Sequence, residues 1–394
     1  MPAYLDHAAT TPMFPEVAAA MAAQQRETGN PSSLHTAGRR ARRVVEESRE
    51  RLAAAVGSRP SEVVFTSGGT ESDNLAVQGV FAAQREADPR RVRLLVSAIE
   101  HHAILDCVEA LTGRHGAEVT WLEPDRHGVI HPATVEAAIA DDPSSVALVS
   151  VMWANNEVGT VQDVPGIVAL AHEHGIPVHT DAVQAFGHVP VDFAASDADL
   201  MTVTGHKIGG PVGSGALVVK RDRVVVPTTY GGGQERQVRS GTIDTAGVLG
   251  FSLAAELAVQ RLETEGPRLA ALRDAIIEGA LALGYSIQTG GAWTAGDWRS
   301  RLPGNALLLV SGCEGDALLY LLDAAGVECS TGSACQAGVP QPSHVLLAMG
   351  LTEAQARGAL RLTLGHTSSL ADVDAVLAAL PSAVERARRA SAVA

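Results

Sequence analysis

Between residues 62 and 219 the chain alternates short apolar runs with longer stretches whose apolar residues recur at helical spacing. The runs at 62–66, 92–96, 119–122, 146–151, 178–181, 200–203 and 216–219 are four to six residues long, rich in Val and Leu, and predict strands. Helices are predicted over 75–84, 103–111, 132–140 and 164–174, and ahead of the first run over 16–25 and 37–56. The strand runs are mostly apolar throughout rather than alternating. That is the mark of strands covered on both faces, and hence of a mostly parallel sheet.

After residue 219 the pattern changes. A Gly-rich polar loop over 230–242 leads to a helix over 246–262, and a second helix is expected over 269–283. Strands over 306–310 and 359–365 and helices over 315–325 and 370–388 follow, without the strict alternation seen earlier. The fold class expected is α/β, with a large domain built on the mostly parallel sheet and a smaller α+β domain. The expected boundaries are 14–262 for the large domain, and 1–13 with 263–394 for the small one.

Composition narrows the function classes. A formal charge of -14 argues against a nucleic-acid-binding surface. No apolar run reaches membrane-spanning length. The first twelve residues lack the basic-then-apolar pattern of a secretory signal. Four scattered cysteines, Cys107, Cys313, Cys329 and Cys335, do not form a disulfide framework, and neither CxxC nor HExxH occurs. A cytoplasmic protein with reduced thiols and no metal site is expected.

The polar clusters then take on meaning from where they fall. Gly69-Thr70, Glu100-His101, Asn155-Asn156, Asp181 and His206-Lys207 each stand just after a predicted strand, where parallel sheets bind ligands. Gly69-Thr70 opens a helix, so its backbone N–H groups suit a phosphate, although an ordinary strand-to-helix turn accounts for the same residues. The chain has only two lysines, Lys207 and Lys220, against twenty-eight arginines. A lysine amine can form an imine where a guanidinium cannot. Asp181 and Lys207 are the anion and amine that pyridoxal phosphate requires, for its ring nitrogen and its aldehyde.

The segments YLDHAATTP, GNPSS, TSGGTESDN, EHHAILD, NNEVGTVQD, HTDAVQ, TGHKIGGPVGSG, RSGT, STGSAC and RLTLG, in this order, resemble the cysteine desulfurases. These are class V aminotransferase-like enzymes of the fold-type-I pyridoxal phosphate group, and the likeness runs from Tyr4 to about Leu370. It implies that Lys207 carries pyridoxal phosphate covalently and that Gly69, Thr70, Thr204 and His206 bind its phosphate. Thr242 would reach that phosphate from a second copy, so a homodimer is implied. His101 would stack on the ring, Asp181 would pair with its nitrogen, and Asn156 and Gln184 would line its face and phenolic side. Arg361 with Asn30 would hold the carboxylate of L-cysteine. Cys335, on a loop over about 327–342, would accept the sulfur as a persulfide and pass it to an iron–sulfur scaffold or a tRNA-thiolating enzyme, with L-alanine as the other product.

Two departures bear on the acceptor protein: Gln336 follows Cys335 where many relatives carry Thr or Ser, and Cys329 is a rival nucleophile or a disulfide partner. The alternatives are a selenocysteine lyase or an aminotransferase of small amino acids, and, from another class, a non-catalytic scaffold subunit.

Overall fold

The computed structural model describes residues 2–331 and 341–391. Its strands are β1 (Ala3–Tyr4), β2 (Val63–Thr66), β3 (Arg93–Ser97), β4 (Glu118–Leu122), β5 (Val146–Ser150), β6 (Val178–Asp181), β7 (Leu200–Thr204), β8 (Gly215–Val219), β9 (Ile287–Thr289), β10 (Asn305–Val310), β11 (Val327–Glu328) and β12 (Ala359–Thr363). β2 to β8 form one sheet in the order β2-β8-β7-β6-β5-β3-β4. β8 is antiparallel to both neighbours, so the other six strands share one direction. The class is α/β, as the mostly apolar runs imply: every residue of β2, β3, β5, β6, β7 and β8 is buried. β4 lies at the edge and leaves Glu118 and Trp121 to solvent.

Helices cover both faces of this sheet, and one apolar cluster fills each side. A separate antiparallel sheet, β12-β10-β9, packs its own core against the second half of a long helix and the C-terminal helix Leu370–Ser391. The short parallel pair β1-β11 sits beside it. Among the described residues, no helix is long and apolar enough to cross a membrane.

Two local expectations change. The helices expected over 246–262 and 269–283 are one helix, Thr245–Ala282, with Pro267 inside it. An internal proline removes a backbone donor and disfavours a helix by about 3 kcal/mol. Here tertiary packing outweighs that, because the helix is shared by two cores. Phe251, Ala254 and Ala255 are buried in the first, and Leu269, Leu272 and Ile276 in the second. Gly266 is required at the junction, since a Cβ there would meet the Trp298 ring at 2.4 Å. The second change is an addition: β9 and the helices His344–Ala348 and Glu353–Arg357 lie outside the predicted elements. Ser343 and Thr352 cap those helices, a sequence signal that could have found them.

The polar loop at 230–242 is held by a buried ion pair. Glu235, 1% exposed, takes Arg49 on both oxygens at 2.7 and 2.8 Å and also accepts from Phe65 N on β2. Removing one partner of such a pair strands the other charge. We expect Glu235→Ala to lower unfolding stability by about 3–5 kcal/mol. Chemical denaturation measures it, and a loss below about 1 kcal/mol would place the pair among weak surface bridges.

Candidate active site

Six strands pointing one way bring their carboxyl ends to one side of the sheet, and the polar clusters meet there. A cavity of about 430 Å³ is lined by Gly69 and Thr70 after β2, His101 after β3, Asn156 after β5, and Asp181 at the end of β6. Gln184 follows in the next turn, and Thr204, His206 and Lys207 come from the end of β7. Arg361, on β12 of the other sheet, closes the cavity from the far side. A volume of this order suits a small molecule.

The turn at the start of the helix Gly69–Ala87 depends on glycine. Gly68 has φ 150° and offers no side-chain cap, and a Cβ on Gly215 would come within 2.7 Å of the Gly68 backbone. The first amides of that helix are therefore open to an anion in place of a capping side chain. Thr204 donates its hydroxyl hydrogen to Ser214 O at 3.1 Å and lies 3.2 Å from His206 Nδ1. This places both side chains at fixed angles beside the cavity.

Lys207 Nζ donates to the carbonyls of Ala8 and Ala9, the latter at 2.7 Å. Burial, helped by the Arg361 charge, pulls its amine down to about 8, against the partial support of Asp6 and Asp181. Only the unprotonated amine attacks an aldehyde. The rate at which the cofactor-free protein forms an imine with added pyridoxal phosphate should therefore rise with pH and level off above about 8. Stopped-flow absorbance reads this, and a midpoint near the ordinary lysine value of ~10.4 would mean an amine open to water.

Asp181 accepts from Val183 N at 2.7 Å, and burial pushes its carboxyl up to about 6 while Lys207 draws it down. Beneath it runs a buried polar layer in which His179 lies 3.0 Å from Ser150 Oγ and 3.1 Å from Thr202 Oγ1. Desolvation holds His179 neutral, with its pKa lowered to about 3. Asp73 and Glu100, also fully buried, are raised well above the usual carboxylate range by burial and then by the Asp181 charge. Of these three acids, Asp181 is the one a nearby cation favours as an anion. Sequence reasoning quoted Asp73 and Glu100 within motifs without a role. Asp73, on the helix Gly69–Ala87, lines the same cavity, and Glu100, after β3, accepts from Met152 N; their nearness to Asp181 follows from tertiary packing, not from spacing.

His101 caps the helix His102–His115, its Nδ1 accepting from Ala103 N at 3.1 Å. The ring hydrogen is thereby assigned to Nε2. Burial and the Lys207 charge lower its pKa to about 4, so the ring is neutral at physiological pH. Gln184 donates from Nε2 to Ala8 O at 2.9 Å.

Arg361 lies on the edge strand β12 but is only 6% exposed, so it does not snorkel to solvent as a lone arginine in an edge strand commonly does. Its Nη2 lies 3.1 Å from Asp6 Oδ1 and its Nη1 donates to Asn156 O at 3.1 Å. Two residues of the expected set do not line this chain's own cavity. Asn30 is exposed, accepts from Ser32 N at 2.9 Å and is not among the residues lining the cavity. Thr242 is exposed and likewise absent from that lining. Cys335 lies outside the described residues. Burial pushes the rival thiol, Cys329, up to about 12, with Asp6 and Asp323 adding to the effect, so it is not poised as a thiolate. Cys107 and Cys313 are buried, as expected of structural thiols.

The family model for class-V aminotransferases matches residues 3–376. An IscS-like cysteine desulfurase of Mycobacterium tuberculosis is 56% identical over 389 residues, covering 99% of this chain and 98% of that protein. The chain belongs to the class-V aminotransferase family, in its cysteine desulfurase group. Among solved structures, a NifS-like protein superposes with a TM-score of 0.87 at 31% identity, covering 98% of this chain and 99% of the other. Another, SspA in complex with cysteine, superposes at 0.77 with 34% identity, covering 92% and 98%. Class-V cysteine desulfurases are pyridoxal phosphate enzymes, and the cavity fits that cofactor. It offers an uncapped helix start for a phosphate, a buried carboxylate for a ring nitrogen and a desolvated amine for an aldehyde.

Proposed function

We propose that this desulfurase binds pyridoxal phosphate at Lys207 and moves the sulfur of L-cysteine onto Cys335, releasing L-alanine. The observation that carries the reading is the meeting of Asp181, Lys207 and Arg361 in one cavity, although they lie on β6, after β7 and on a different sheet. Gly69, Thr70, Thr204 and His206 would hold the phosphate, and Asp181 the ring nitrogen. His101 would cover the ring, with Asn156 and Gln184 beside it. Exposed Thr242 would complete the phosphate site of a second copy, which makes the working form a homodimer. Residues 14–262 would be the cofactor-binding domain of a cytoplasmic enzyme.

Bound there, pyridoxal phosphate supplies an electron sink for the bonds at the substrate Cα. The protein's own groups do the rest. Arg361 orients the carboxylate through a charge-assisted contact. Lys207, with its amine near 8, takes up and returns the Cα proton. Asp181 would stay anionic to pair with a ring nitrogen, and neutral His101 would keep water from the ring. The Cys335 thiolate attacks the substrate sulfur, an S–S bond forms, and the C–S bond breaks with its electron pair left on carbon. The balance is L-cysteine plus a thiol giving L-alanine plus a persulfide.

Chain length supports Cys335 in this role. Ser330 and Gln341 both line the cavity, and Cys335 is five residues from Ser330, a span of at most roughly 18 Å when fully extended. The neighbour solved with cysteine supports the substrate. The IscS-like name of the mycobacterial relative favours an iron–sulfur scaffold as acceptor over a tRNA-thiolating enzyme. The deciding experiment is incubation of the yellow protein with L-cysteine and a reductant. Alanine and sulfide in equal amounts are expected. Pyruvate, or alanine without sulfide, would replace the desulfurase reading with another reaction of the same cofactor.

A further inference from the structure

The motif YLDHAATTP was given no catalytic role above, yet residues 5–14 contact Lys207, Gln184 and Arg361. Leu5 O accepts from Thr363 N at 2.7 Å and Ala8 N donates to Thr363 Oγ1 at 2.9 Å, so the segment is bound to β12 two residues beyond Arg361. Thr11 N donates to His206 O at 3.0 Å and Phe14 N to Gly209 O at 2.9 Å, so its far end is bound to the Lys207 turn. Between these anchors, Ala8 O and Ala9 O hold Lys207 Nζ, and Asp6 Oδ1 holds Arg361 Nη2. With Nη1 on the Asn156 carbonyl, the guanidinium is fixed at two nitrogens. Its Nε, buried, has no hydrogen-bond partner among the described residues. A buried donor left unpaired is costly unless something arrives to pair it.

We propose that Asp6 is a positioning residue for the substrate carboxylate, fixing Arg361 against the Asn156 carbonyl so that its remaining N–H groups face an incoming α-carboxylate already oriented. This rests on the reading of Arg361 given above. Asp6 touches Arg361 and not the reacting atoms. A long guanidinium side chain without that partner has several rotamers to lose on binding, and its planar fork pairs with a carboxylate well only in one plane.

The test compares L-cysteine with L-cysteinamide, whose neutral amide replaces the carboxylate, on holoenzyme carrying wild-type Asp6, Asp6→Asn or Asp6→Ala. For Asp6→Ala, KM for L-cysteine is expected to rise roughly ten- to a hundredfold, the range set by one charge-assisted contact. The amide should lose far less, so the preference for the carboxylate collapses. The isosteric Asp6→Asn should fall between the two, and it carries the comparison if Asp6→Ala does not fold. Equal loss on both substrates would mark a merely structural contact, and no loss on either would leave Asp6 without a role; each result overturns the proposal. Binding of L-alanine, followed by the absorbance of the bound cofactor, is a second readout that needs no sulfur chemistry. It should weaken by the same factor in Asp6→Ala, and unchanged binding would overturn the proposal. If the wild-type protein binds L-alanine but frees no sulfur from L-cysteine, the functional reading fails while this second readout still judges Asp6.

Discussion

Lys207→Ala yields a colourless protein, and its sulfur release from L-cysteine falls by at least about a thousandfold, because one side chain supplies both the covalent link and the proton transfer. Lys207→Arg keeps the positive charge and much of the length but cannot form an imine, so it should be equally inactive. The pair of variants separates charge from chemistry. Loss of the Lys207 charge alone would be felt at Asp181, which it draws down, and at His101, whose pKa it lowers further after burial. Lys207→Arg preserves those influences. Absorbance near the imine band and a sulfide assay measure the outcome. An active Lys207→Arg enzyme would remove the lysine from the reaction, and with it the assignment of the cavity.

Cys335→Ala is expected to abolish alanine and sulfide production, again by about a thousandfold or more, the scale of losing a nucleophile. Exchange of the Cα hydrogen of L-alanine with solvent deuterium should continue, since Lys207, Asp181 and Arg361 are untouched. Mass spectrometry follows both. An aminotransferase would not need this thiol, so full turnover by Cys335→Ala would favour that alternative. The half-buried Cys329, with its thiol pushed up to about 12, should not take over. Persulfide on Cys329 in the variant would show that the rival thiol reaches the substrate.

Much of the large sheet could be read in the chain because all its strands but the edge strand β4 are covered on both faces, so most of them appear as short, largely apolar runs. The polar residues at the strand ends could be read for the same reason: against such runs they stand out. The smaller part was less legible. β9 is three residues long with only its first residue buried, which leaves no periodicity to detect. The break expected near Pro267 does not occur, since a local preference of a few kcal/mol is smaller than the burial available along a helix shared by two cores.

The linear order of residues was enough to say that an amine, an acid and a phosphate-binding turn belong to one parallel sheet, because strand direction alone sends their positions to the same end. It could not say that Asp6 meets Arg361 across 355 residues, or that Asp73 and Glu100 are buried within reach of the Asp181 charge. Nor could it say that Lys207 is dry enough to lose its proton near pH 8. Those facts depend on which surfaces are removed from water and which charges then face each other, and only the packing of the two sheets around the cavity decides that.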